Sequence, residues 1–117
     1  MDIDRKQIMA AFLRTLGHIA DIKYQERIWI CGEGPEVDDF DETVNFFFDL
    51  GDPILKDYKS YGMSEDQYKL LAKFREAFET FADAHYHPLE FITSPEWKTI
   101  MAMAKEVLKA FNYIEQT

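Results

Sequence analysis

The sequence predicts an all-α fold, a compact bundle of four to five amphipathic helices with short loops, in one domain over residues 1–117. Three observations predict it. Apolar residues recur at spacings of three and four along most of the chain. Ser, Asp and Pro stand where helices would begin. Only one run, Arg27-Ile28-Trp29-Ile30-Cys31, has the β-branched and aromatic content of a strand, and no second run could pair with it. With 47% hydrophobic and 15% aromatic residues, the chain can bury a core and is unlike a disordered one.

Ile8, Met9, Phe12, Leu13, Leu16, Ile19 and Ala20 form the stripe of a first helix, with Asp2 or Asp4 to cap its start. Asp21 can cap a second short turn. Arg27–Cys31 reads as a short helical or extended segment pinned by Ile28, Trp29 and Ile30, and Gly32, Gly34 and Pro35 then force a loop. A helix is predicted over about residues 39–50, with Asp38 and Asp39 at its cap and Phe40, Val44, Phe47 and Phe48 on one face; Gly51 ends it. Asp52-Pro53 reads as the cap and first residue of a further short helix, ILKDYKSY, which stops at Gly62. Ser64 and Gln67 make a capping box that opens the longest helix. That helix buries Leu71, Phe74, Phe78, Phe81 and Ala82, and it ends near His85 or Tyr86 before Pro88. Ser94-Pro95 starts the last helix, whose stripe is Trp97, Ile100, Met101, Ala104, Val107, Leu108 and Phe111.

One stretch sets the charge of the molecule. Glu33–Asp52 holds eight of the 22 acidic residues and none of the 13 Lys and Arg. The net charge is −9, so the rest of the chain is close to neutral. Nucleic-acid binding and anionic membrane surfaces are disfavoured, since both need clustered cations. No apolar run is long enough to span a bilayer, and the N-terminus does not read as a signal peptide. The single cysteine, Cys31, excludes an internal disulfide. A cytoplasmic monomer that meets a basic partner is the expectation, with encounter steered electrostatically.

Catalytic and metal motifs are absent or incomplete. An EF-hand loop needs glycine at its sixth position and glutamate at its twelfth. Counting from Asp39 gives Val44 and Leu50, and from Asp41 the sixth residue is Phe46. Asp83, His85 and His87 alternate and could present metal ligands, with His18 from the first helix, yet they sit at a helix end where histidine also suits the dipole. No Glu-x-x-His pair supports a di-iron site. Cys31 carries no nucleophile signature. No cofactor is expected, and the chain is not read as an enzyme. The Phe46-Phe47-Phe48 triple cannot lie on one helical stripe, so either the helix sits centrally and is covered on most sides, or one phenylalanine, Phe46, is exposed as a partner contact.

The stretch ERIWICGEGPEVDDFDETVNFFFD, with a basic-aliphatic-Trp segment leading into a Gly-Pro turn and an acidic-aromatic helix start, resembles a motif of small bacterial proteins. The later Ser-Pro-Glu-Trp is similar too, so the likeness runs from about Tyr24 to Phe111. Helical proteins of this kind resemble the immunity proteins of contact-dependent growth inhibition (polymorphic toxin) systems. That resemblance implies a protein that binds and neutralises a cognate toxin domain, often a basic nuclease. It transfers no binding residue, because such proteins diverge widely. The residues themselves point to Glu33, Glu36, Asp38, Asp39, Asp41 and Glu42 as partner contacts, supported by Asp49 and by Trp29 or Phe46. The alternatives are a metal-binding enzyme or sensor using Asp83, His85 and His87, and a helical adaptor with a non-toxin partner.

Overall fold

The computed structural model describes residues 4–33, 38–84 and 87–113, and these are helical with no strand among them. Helix α1 spans Arg5–Ile19 and is capped by Asp4, whose carboxylate accepts the Lys6 N–H. Helix α2, Ile22–Tyr24, is capped by Asp21 and runs straight into a π-helical turn, Gln25–Ile30. The strand-like composition of Arg27–Cys31 is thus overridden, and the segment is helical. Gly32 follows at φ +65°, a left-handed conformation that suits glycine. Helix α3 is Phe40–Lys56, a 3-10 turn spans Tyr58–Tyr61, and α4 is Glu65–Ala84. A short α5, Pro88–Phe91, precedes α6, Pro95–Ala110.

The cap signals at Asp4, Ser64 and Ser94 hold, whereas the one at Asp52-Pro53 does not, because both residues lie inside α3. Ser64 Oγ accepts the Gln67 N–H while Gln67 Oε1 accepts the Ser64 N–H. Ser94 Oγ accepts the Trp97 N–H, with Pro95 as the first residue of α6. The break expected at Gly51 does not occur. Helix α3 continues through Gly51 and Pro53, because Gly51 faces the Phe12 ring and Ile54 beyond it is fully buried. Burying that extra turn outweighs the local cost of the two breakers. The helix expected over ILKDYKSY is therefore divided between the end of α3 and the 3-10 turn.

Helix α1 packs on α3 and α6, and α4 packs on α6 and α3. An aromatic network fills the space between them. Phe47 meets Phe12, Phe74 and Phe78, and Phe40 meets Trp29, Phe91 and Trp97. Among the described residues two polar side chains are buried, Thr43 and Gln25, and Gln25 donates to the His18 and Ile19 carbonyls and accepts the Trp97 indole N–H at 2.8 Å. The π-helical turn is thereby fixed to both α1 and α6.

Candidate partner-binding face and the Asp38 cavity

The acidic run divides into outward carboxylates and one that turns inward. On α3, residues three and four apart share a face, and Asp41, Glu42, Asn45, Phe46, Asp49 and Asp52 are all exposed. Asp41 and Glu42 occupy the first turn of α3, where negative charge complements the exposed N–H groups. Asp39, also exposed, caps that turn by accepting the Glu42 N–H at 2.8 Å. Glu33 is exposed beyond the π-helical turn, while Glu36 lies outside the described residues. Phe46 is 58% exposed, with Glu42 one turn before it and Asp49 one turn after. Asp52 is engaged instead with Arg75 at 2.6 Å, and the guanidinium also reaches Glu79 and lies over the Phe48 ring.

Two residues expected on the surface are not available there. Trp29 is buried against Phe40 and Trp97, so it belongs to the core. Asp38 is half-buried, and its Oδ2 accepts hydrogen bonds from Tyr24 OH at 2.8 Å, Thr43 Oγ1 at 3.0 Å and Trp29 Nε1 at 3.2 Å. The π-helical turn explains how two of these donors converge. Tyr24 and Trp29 are five residues apart, which on an α-helix would splay them by about 140°. The wider π turn, closed by the Cys31 N–H bonding to the Glu26 carbonyl five residues back, brings them to the same carboxylate.

Asp38 lies in a cavity of about 350 Å³ at the seam of α1 and α3. Helix α1 contributes Ala11, Arg14, Thr15 and His18; α3 contributes Thr43, Phe46 and Leu50. Tyr24 completes the lining, with the His18 ring stacked on it at 3.8 Å. Sequence reasoning singled out Asp38 and Phe46 but missed Tyr24, Thr43, Arg14 and Leu50. Only Thr43, a polar residue among phenylalanines, gave any local signal. A larger groove of about 650 Å³ runs between α4 and α6, and none of the expected partner residues lines it.

The alternating Asp83, His85, His87 set is not assembled in the described residues. His85 lies outside them, Asp83 is exposed, and His87 Nδ1 accepts the Leu89 N–H at 3.1 Å as the cap of α5. Among the described residues no group of three or more His, Cys, Asp or Glu is placed to hold a metal ion. Cys31 is exposed at the end of the π-helical turn. Among the described residues no helix is long and apolar enough to cross a membrane. Comparison with protein-family models, with curated proteins and with solved structures gives no match.

Proposed function

We propose that this chain is an immunity protein that binds and neutralises a basic nuclease toxin domain through the outer face of α3. One observation carries the reading: an exposed phenylalanine stands on that face between carboxylates that are themselves exposed. An exposed aromatic ring offers area to bury at an interface centre, and the carboxylates around it offer a polar rim complementary to a basic partner. The carboxylates would occupy the groove that otherwise holds nucleic-acid phosphates, and close charge pairs across such interfaces couple by about 1.5–7 kcal/mol. The contact set is Glu33, Asp39, Asp41, Glu42, Asp49 and Phe46; Asp38 and Trp29 leave the outer set because they face inward.

Protection is the test. Co-expression with a basic toxin domain encoded beside its gene is expected to restore growth, and reversing Asp41, Glu42 and Asp49 to Lys is expected to remove both rescue and binding. Binding that survives the triple reversal at low salt would sink the acidic-face reading. Salt-sensitive binding to a basic protein without rescue from any toxin would favour the adaptor reading.

A further inference from the structure

We propose that the cavity at the α1–α3 seam is an anchor pocket for one guanidinium or ammonium side chain of the basic partner, with Asp38 as its counter-ion. The inference rests on reading α3 as the face for a basic protein and says where that face takes hold. Its starting point is an imbalance at Asp38. The three groups that hold the carboxylate are neutral: a phenol, an indole and a hydroxyl. They concentrate on Oδ2, while Oδ1 shares only the Thr43 hydroxyl at 3.1 Å. A carboxylate oxygen offers about two lone-pair sites. Asp38 is thus oriented by neighbours that do not neutralise it, and it keeps acceptor capacity on one oxygen.

The walls fit a long cationic side chain. Leu50 and Ala11 can cover a methylene stem. Phe46, 58% exposed, supplies aromatic surface for a cation, while the Tyr24 ring already carries His18 and, at 5.9 Å, the Arg27 guanidinium. A cavity of about 350 Å³ suits one side chain better than an extended ligand, since ligand pockets run from about 300 to 1,000 Å³. Arg14 at the lining opposes a cation and would favour an anion. An anion, however, would meet the Asp38 carboxylate, the one acidic group among the described residues of the lining. Asp38 and Arg14 are one charge each in the lining, but Arg14 is an exposed, flexible chain that can swing aside, whereas Asp38 is held by three bonds. The cation is the better occupant.

The experiment needs no partner. The labelled full-length chain is titrated with Nα-acetyl-arginine amide and followed by NMR. Saturable shifts are expected at the Trp29 indole N–H and the Thr43 amide, with a dissociation constant on the order of 1 mM or weaker for a single anchored side chain. The neutral citrulline analogue is expected to bind at least about tenfold more weakly, because it loses the charge-assisted bond. Asp38→Asn, which keeps an acceptor for the three donors, should weaken arginine binding to a similar extent, and Phe46→Ala should weaken it without touching the core. If Asp38→Asn does not fold, the citrulline comparison and Phe46→Ala decide alone. Equal binding of arginine and citrulline, tighter binding of Nα-acetyl-glutamate amide, or no saturable shift at the pocket would overturn the proposal. The acidic-face reading fails separately. It is lost if Asp41, Glu42 and Asp49 reversal leaves binding of a basic protein unchanged, whatever the arginine probe does.

Discussion

Removing the Asp38 carboxylate leaves a phenol, an indole and a buried threonine hydroxyl without their acceptor. Unsatisfied buried donors cost about 1–3 kcal/mol each, and partial exposure of the site lets water recover some of that. Asp38→Ala is therefore expected to destabilise the chain by about 2–4 kcal/mol, and Asp38→Asn by less. Urea unfolding checks this; an unchanged midpoint would mean that water replaces the carboxylate fully. No count of acids along the run distinguishes Asp38 from Asp39 or Asp41. Its donors lie five, nine and fourteen residues away, and which carboxylate turns inward is settled only by how the π-helical turn faces α3. Tyr58 offers a second residue-level test. Its phenol donates to Glu65 at 2.9 Å, and that bond, with some burial and the nearby negative charge, raises its pKa above the usual 10.0. The raised value favours the protonated phenol, so the bond contributes fully at neutral pH and is lost as pH rises through the folded-state pKa. Glu65→Gln is expected to shift Tyr58 ionisation to lower pH in an alkaline absorbance titration. No change would show that Glu65 does not hold the phenol in solution.

Helix α3 shows what local signals reveal about an element and what they hide. Its start was legible, because Asp39 and the acids of the first turn act through the helix's own N–H groups. So were the starts of α4 and α6, whose caps are complete within four residues of sequence. The end of α3 was not legible. Glycine costs a helix about 1 kcal/mol and proline about 3 kcal/mol, and both penalties are visible in the sequence. The compensation is tertiary: Phe12, from a different helix, closes over Gly51, and Ile54 is buried one turn beyond Leu50. This gives Gly51→Ala an unusual sign. On an open helix the change would add about 1 kcal/mol of stability. Here the new Cβ would sit 2.9 Å from Phe12 Cε1, and the Phe12 ring is fully buried and cannot swing away. Overpacking of this kind costs about 1–3 kcal/mol, so a net loss of about 1 kcal/mol is expected. Phe12→Leu relieves the clash, and the double variant should be more stable than the sum of the two single losses predicts. A stabilised Gly51→Ala single variant would show that the α1–α3 contact is looser than the packing described.

At the scale of the whole molecule the charge is the governing quantity. The net charge is −9, and the acidic run concentrates it on one side of the chain's sequence rather than spreading it. Among the described residues, Asp52 is the member of that run held in an ion pair, through Arg75. The free protein thus holds a field of like charge that its own cations do not cancel, and self-repulsion of this kind lowers the stability of a compact state. The molecule measures 38 × 29 × 24 Å. At about 0.01 M salt the Debye length is about 30 Å, so charges interact across the whole body; at about 0.1 M it is about 10 Å and the repulsion becomes local. The melting temperature of the free chain is accordingly expected to rise with NaCl over that interval. Asp49→Asn should flatten the rise, because it removes a carboxylate from the middle of α3 without touching its cap or first turn. Binding to a basic partner should respond in the opposite sense and weaken as salt rises, since the same screening now removes attraction. The two signs together separate a binding face from a merely solvated one. A face that only solubilises gives the first effect without the second. A free chain whose melting temperature ignores salt would show that the run carries no electrostatic stress for a partner to relieve.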